Sequence, residues 1–166
     1  MGTNSNTQTP KGRSEGLVSA TAVGAVFILI GVVFVFNSGL PENIVAFFKD
    51  ITLVTYPLGD AASTFVLPAP ANPASHIAFY TAVTQFALGI GILQVLILAL
   101  RLSFNSPTDK TAETVGNLVF WFSIAVLINY ILQAGTYEGW FQFWGAFIIV
   151  TGFSLISRAI VHFVKR

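Results

Sequence analysis

Residues 22 to 36 read AVGAVFILIGVVFVF, and this stretch decides the fold class of the chain. It contains no polar or charged side chain, so a helix built from it has no face that suits water. A helix of about 20 apolar residues crosses a bilayer, because it rises about 1.5 Å per residue through a hydrocarbon core of about 30 Å. Residues 17–36 meet this length, and we therefore predict a transmembrane helix there.

The composition of the whole chain shows the same bias. Of its 166 residues, 54% are hydrophobic and 9% are charged, whereas about 25% of the residues of a soluble domain are charged. Three further apolar runs lack Asp, Glu and Lys, namely residues 77–100, 118–134 and 140–159. A soluble bundle would need polar outer faces on these helices. The sequence thus predicts an all-α integral membrane protein with four transmembrane helices in a bundle.

The positions of the basic residues predict the topology. In a four-span chain only Lys49 falls on one side of the membrane, and the other seven Lys and Arg residues fall on the opposite side. Cytoplasmic loops carry an excess of Lys and Arg, so we expect both termini in the cytoplasm and the protein in the cell membrane. The seven residues are Lys11, Arg13, Arg101, Lys110, Arg158, Lys165 and Arg166.

The N-terminal segment lacks any periodic pattern. Residues 1–14 are polar, which predicts a disordered cytoplasmic tail ahead of a transmembrane domain that covers residues 15–166. The first apolar run is longer than the roughly 7 to 15 residues of a signal-peptide core, and the NSGLPE that follows it has no A-x-A cleavage pattern. We therefore expect an uncleaved anchor.

An amphipathic pattern follows the first span. In NSGLPENIVAFFKD, residues 37–50, apolar side chains recur every three or four positions, which predicts a short helix over residues 42–55. This helix either lies in the plane of the outer membrane interface or packs as a cap over the outer end of the bundle. Its apolar residues form an outer ledge made of Ile44, Phe47, Phe48 and Ile51.

Residues 56–75 are predicted to form an outer loop. They contain Pro68, Pro70 and Pro73, which prevent a continuous helix. Beyond this loop, aromatic residues gather before the fourth span, and such clusters are typical of the membrane interface. We therefore predict an outer aromatic belt that consists of Tyr137, Trp140, Phe143 and Trp144.

The stretch after the first span is similar to a second stretch later in the chain, and we call this similarity the sequence echo. A shift of 96 positions sets NSGLPENIVAFF over QAGTYEGWFQFW and matches Gly39 with Gly135 and Phe47 with Phe143. A duplicated helical hairpin with an insertion in its first copy would explain the match. Chance similarity between apolar helices is the alternative.

Residues that would support catalysis are missing from the predicted spans. The chain has no cysteine, and its seven acidic residues all fall in tails or loops. Ionisable groups inside a membrane usually mark a functional site. His76 and His162 lie at opposite membrane faces and cannot share a metal ion. Phosphate-binding, nucleophile-elbow and zinc-protease motifs are absent from the sequence. We expect no enzyme activity and no cofactor or metal held by this chain alone.

Neutral polar residues within the spans permit two interpretations. They either hydrogen-bond between packed helices, for about 1 kcal/mol each, or line a groove for a small neutral ligand. The residues of this predicted polar groove are Thr84, Gln85, Gln94, Asn129, Tyr130 and Gln133. The glycines expected to allow close helix packing are Gly24, Gly31, Gly91, Gly145 and Gly152.

Basic residues also form a predicted inner rim that contacts anionic lipid headgroups or sets the topology. The rim consists of Arg101, Arg158, Lys165 and Arg166.

The order of elements resembles that of the DoxX-type four-helix membrane proteins. A span ends near Gly39, and an amphipathic segment, a proline-bearing loop and three more spans follow it. In that family the second span opens with an acidic residue followed by paired glycines. Here TQFALGIG, residues 84–91, has glutamine at the acidic position and separated glycines. The resemblance implies a small subunit of a redox or quinone-linked membrane complex.

Two functions follow from these patterns. The first is a non-catalytic accessory or scaffold subunit of a larger membrane complex, with the lipid bilayer and other membrane proteins or further copies of the chain as partners. The alternative is a small transporter, a channel or a protein that binds a lipophilic, quinone-like ligand. A third hypothesis is a quinone-linked redox subunit whose partner supplies the cofactor. No basic surface indicates nucleic-acid binding.

Overall fold

A computed structural model describes residues 10–57 and 64–164 of the chain. The predicted tail therefore lies mostly outside the described residues, and its last part begins the first helix. Within these ranges, five helices and two strands follow one another, with short 3-10 turns over Pro73–His76 and Leu132–Ala134. The elements are α1 (Pro10–Phe36), α2 (Leu40–Lys49), β1 (Ile51–Pro57), β2 (Thr64–Pro70), α3 (Ile77–Ser103), α4 (Thr108–Tyr130) and α5 (Tyr137–Val164).

Four of these helices, α1, α3, α4 and α5, are long and apolar enough to cross a membrane. The prediction of four membrane-spanning helices is confirmed in this sense, and it indicates a multi-pass membrane protein. Large apolar side chains remain exposed along them; Phe27 of α1 is 70% exposed and Ile148 of α5 is 71% exposed. A hydrocarbon solvent removes the cost of that exposure.

The long helices pack side by side in a row. Helix α3 packs against α1 and α4, and α4 packs against α5, while α1 and α5 share no extensive contact within the described residues. A closed bundle, in which α1 and α5 would also pack together, is not confirmed. The order of helices across the row is α1, α3, α4 and α5.

Close approaches between neighbouring helices occur at glycines. Gly89 of α3 faces the side chain of Leu29 in α1, and Gly91 faces Phe122 in α4. Gly116 of α4 lies against α5, where the hydroxyl of Ser154 donates to its carbonyl over 2.8 Å. Of the glycines predicted to pack, only Gly91 therefore lies at such a contact. The positions of the other four open onto empty space: Gly24, Gly31, Gly145 and Gly152.

The segment after α1 differs from the sequence prediction. The expected helix over residues 42–55 begins at Leu40 and ends at Lys49, and β1 follows directly and pairs with β2 as an antiparallel hairpin. The expectation of an all-α chain with a simple loop over residues 56–75 is wrong here. The sequence ITLVT, residues 51–55, is rich in β-branched residues, which favour extended structure over helix.

Helix α2 packs onto the start of α3. Leu40 and Phe47 are buried, Ile44 is partly buried, and the three contact residues of α3. Phe48 of the predicted ledge is 67% exposed. Helix α2 therefore packs against one end of α3. The two arrangements that the sequence allows, in the interface plane or as a cap over the bundle, stay predictions.

The two glycines matched by the sequence echo share an unusual backbone. Gly39 has φ of +75° and Gly135 has φ of +63°, and a helix begins shortly after each. Phe47 and Phe143, which the echo also aligns, belong to one core cluster. A left-handed conformation suits glycine because it has no Cβ. The duplication itself stays a prediction.

Replacement of Gly135 by alanine tests the turn between α4 and α5. A Cβ at this position would lie 2.8 Å from Cα of Ala74, and the positive φ adds strain. We expect Gly135→Ala to lower the free energy of unfolding by about 1 to 3 kcal/mol. Gly145→Ala is the matched control, because its Cβ would meet no atom within 4 Å. Thermal unfolding in detergent measures both, and equal stability of the two variants would contradict this turn geometry.

Candidate functional site: an aromatic cavity at the hairpin end

The polar residues predicted to share a groove lie in separate places. Asn37 at the end of α1 donates from Nδ2 to Oε1 of Gln85 over 2.7 Å. The Nε2 of Gln133 donates to Oγ1 of Thr81 over 3.4 Å. Both amides therefore join elements that are distant in sequence, as the packing interpretation expects.

The remaining groove residues have other surroundings. Thr84 is buried, and its hydroxyl donates to the carbonyl of Tyr80 one turn earlier, over 2.9 Å. Gln94 lines a shallow cleft between α1 and α3. Asn129 and Tyr130 are exposed. The structure does not bring the six residues together around one cavity.

The predicted basic rim is also divided. Arg101 donates to the carbonyl of Lys110 and, over 2.7 Å, to the hydroxyl of Thr114, so its guanidinium group fastens the connection between α3 and α4. Arg158 is exposed on α5. Lys165 and Arg166 lie outside the described residues.

The helices have two distinct ends. We call the end that carries the α3–α4 connection the loop end. The opposite end, which carries α2 and the two strands, is the hairpin end.

A cavity of about 450 Å³ lies at the hairpin end. This volume falls within the roughly 300 to 1,000 Å³ that is typical of small-molecule sites. Twelve described residues line it, of which seven are aromatic and none is charged. The lining residues are Phe47, Phe48, Ile51, Pro68, Phe79, Tyr80, Val83, Ile128, Leu132, Trp140, Phe143 and Trp144.

The aromatic walls contact one another across three helices. The ring of Phe47 in α2 stacks on Phe79 of α3, with centroids 4.6 Å apart. Phe47 also lies 6.0 Å from Trp140 of α5, which meets Trp144 edge to face at 5.7 Å. Phe47 and Trp140 are both buried, so the walls are parts of the core and not mobile surface groups.

The cavity is open on one side. Phe48 of α2 and Trp144 of α5 line it, although they are 67% and 48% exposed. The mouth therefore lies beside these two residues. Deeper wall residues are closed off, because Tyr80 is only 2% exposed and Ile128 only 3% exposed. The cavity is therefore accessible from outside the protein beside Phe48 and Trp144.

Tyr80 contributes an unusual polar atom to this region. Its hydroxyl is buried and has no hydrogen-bond partner within the described part of the chain. Leaving a buried polar group unpaired costs about 1 to 3 kcal/mol. Tyr80 is therefore a position where the apolar packing of the hairpin end outweighs an unmet hydrogen bond.

The hairpin is fastened to the start of α5. The indole Nε1 of Trp140 donates to the carbonyl of Pro68 over 3.0 Å, and the hydroxyl of Tyr137 donates to the carbonyl of Ala71. These bonds hold β2 beside the cavity. They also give two residues of the predicted aromatic belt a defined structural role.

A carboxylate holds α2, the hairpin and α3 together. Asp50 lies between α2 and β1, and its Oδ2 accepts hydrogen bonds from the backbone N–H of Asn72 and from Nε2 of His76, each over 2.8 Å. His76 is only 5% exposed, and its ring meets Phe47 edge to face at 5.3 Å. The bond from His76, followed by that from Asn72, holds the pKa of Asp50 below its ordinary value of 3.8.

The sequence pattern did not reveal this cavity. Its walls come from α2, both strands, α3, α4 and α5, so no single stretch of sequence contains the site. The many aromatic residues around Trp140 were a sequence signal for the cavity, but the same residues are typical of a membrane interface.

Within the described residues, no three His, Asp or Glu side chains lie close enough together to hold a metal ion.

The low pKa of Asp50 predicts a stability that depends on pH. Because the folded-state pKa lies below the unfolded value, the ionised carboxylate stabilises the fold above about pH 4, and this contribution is lost as pH falls through the folded-state pKa. We expect the melting temperature of the wild type in detergent to fall more steeply below pH 4 than that of Asp50→Asn. Glu42→Gln, on the exposed side of α2, is the control. Parallel profiles for the wild type and Asp50→Asn would contradict this role.

No protein-family model matches this chain, and neither a curated protein nor a solved structure matches it. The resemblance to the DoxX-type proteins therefore stays a prediction. The function has to be argued from the chemistry of the cavity and from the packing of the helices.

Proposed function

We propose that this chain is a non-catalytic multi-pass membrane protein that binds a lipophilic small molecule at its hairpin end. The observation that carries the proposal is the cavity of about 450 Å³, whose described lining contains seven aromatic and no charged residues. Protein interiors are close-packed, and a void deprives its walls of dispersion contacts. An apolar molecule that fills the space restores these contacts and stabilises the bound state.

The distribution of charge supports an orientation with the hairpin end outside the cell. Among the described residues, Arg101, Lys110 and Arg158 lie toward the loop end, and Lys49 lies at the hairpin end. The positive-inside rule then gives a cytoplasmic loop end and cytoplasmic termini. In this orientation α2 lies at the outer interface, where Glu42 and Lys49 are exposed to headgroups.

This orientation also supplies a route for the ligand. The mouth lies beside the exposed residues Phe48 and Trp144, and this orientation would place it near the outer leaflet. A lipophilic molecule concentrates in the bilayer, so it enters from the lipid without passing through water. Passage across the membrane is less well supported, because Gln85 and Gln133 bond to Asn37 and Thr81 and do not line a polar path.

A second candidate function is an accessory subunit of a larger membrane complex. The open row supports it, because α1 and α5 each pack against a single long helix and leave broad faces uncovered. Gly24 and Gly31 of α1 open onto empty space, and small residues allow close helix contacts in membranes. A partner protein or a second copy would close the row into a bundle. A chain that purifies alone from its own membrane in several mild detergents would contradict this candidate.

Filling the cavity tests the binding function. Val83 lines the cavity, and a tryptophan in its place occupies much of the space that a ligand needs. We expect the wild type, extracted from its own membrane, to carry a bound small molecule in native mass spectrometry and Val83→Trp to lose most of it. Val95→Trp is the matched control, because Val95 lies on the same helix and is 45% exposed.

Two results of this experiment would contradict the binding function. Retention of the same molecule by Val83→Trp and Val95→Trp would place it elsewhere on the protein and contradict the proposal. A wild-type chain without any bound small molecule would also contradict it. Circular dichroism and melting temperature of both variants establish that they are folded.

A further inference from the structure

The aromatic rings that line the cavity influence its electrostatic potential. The faces of aromatic rings carry negative potential, and tryptophan attracts cations most strongly. A continuous series of ring contacts runs from Phe79 through Phe47 and Trp140 to Trp144, with centroids 4.6, 6.0 and 5.7 Å apart. All four rings line the same space. A cation inside it is surrounded by aromatic side chains from three helices.

A fixed negative charge lies next to this wall. Asp50 precedes the lining residue Ile51, and its side chain is 21% exposed. The carboxylate is bonded to His76, whose ring contacts the rings of Phe47 and Tyr80 at 5.3 and 6.4 Å. In a weakly polar surrounding the field of such a charge extends further than in water. The ring of His76 therefore lies between the carboxylate and two lining residues of the cavity.

Within the described residues, the side chain paired with this carboxylate is His76, and no Lys or Arg side chain lies at the cavity. No Lys or Arg residue forms an ion pair with Asp50 within the described part of the chain. Lys49 is exposed on α2. A neutral lipophile would gain dispersion contacts with the apolar walls, but it would gain no cation–π attraction from the rings.

We propose that the preferred ligand of this cavity is a lipophilic cation, such as a quaternary ammonium ion with apolar substituents. This proposal rests on the proposed function, in which the cavity binds a lipophilic small molecule. The apolar body of the ligand fills the space between α2, α3 and α5, and its delocalised positive charge lies against the ring faces. A quaternary centre suits this site because it needs no hydrogen-bond acceptor.

Two probes of equal shape test the charge preference. The first is (2-naphthylmethyl)trimethylammonium, and the second is 2-(2,2-dimethylpropyl)naphthalene, in which carbon replaces the charged nitrogen. Titration calorimetry with the full chain in nanodiscs of zwitterionic lipid, corrected for empty nanodiscs, gives a Kd for each probe. We expect the cation to bind about tenfold more tightly than its neutral isostere.

A variant assigns the preference to the rings. Trp144→Leu removes an aromatic face but keeps an apolar side chain at the mouth, and we expect it to weaken binding of the cation several-fold more than binding of the isostere. Phe153→Leu is the matched control, since Phe153 lies on the same helix, is 59% exposed and does not line the cavity. It should change neither Kd.

The results distinguish this inference from the function on which it rests. Equal or tighter binding of the neutral isostere would overturn the cation preference and leave the binding function intact. Binding of neither probe above the level of the cavity-filling variant Val83→Trp would overturn both. An equal loss for both probes in Trp144→Leu would show a packing role for this ring and would also overturn the preference.

Discussion

The hairpin end of the molecule depends on the carboxylate of Asp50. This side chain lies where α2 ends and β1 begins, and it accepts hydrogen bonds from Asn72 and His76 just before α3. One group thus fixes the directions of three elements at their meeting point. Because α2 and the hairpin form one side of the cavity, the position of Asp50 also determines where its walls lie. A buried histidine bonded to a charged partner is a specific arrangement that apolar packing alone would not produce.

The membrane imposes the second constraint. Long apolar helices need not bury their outer faces in lipid, so a row of helices is stable where a soluble protein would need a closed core. Neighbouring helices approach closely at glycines, such as Gly89 against Leu29 and Gly116 against Ser154. Aromatic side chains from α2, α3 and α5 meet at the hairpin end. The same region contains the aromatic cavity of about 450 Å³.

Much of the architecture could be predicted from the sequence, because a run such as residues 22–36 has no polar face and therefore suits a helix within the hydrocarbon of a membrane. The ends of the helices were less predictable, since α1 begins at Pro10 and α5 extends to Val164, beyond the apolar runs. The hairpin was missed because helical spacing from Ile44 onward outweighed the β-branched residues after Asp50. Gln85 and Gln133 were assigned to one groove because sequence spacing does not reveal partners on other elements. The cavity could not be predicted for the same reason.

The most direct test of the account is an experimental structure of the protein determined with its native lipids retained. The account predicts well-defined non-protein density in the space between Phe47, Phe79 and Trp140, with Asp50 bonded to His76 beside it. A structure in which these aromatic side chains close onto one another and leave no space for a ligand would contradict the central claim.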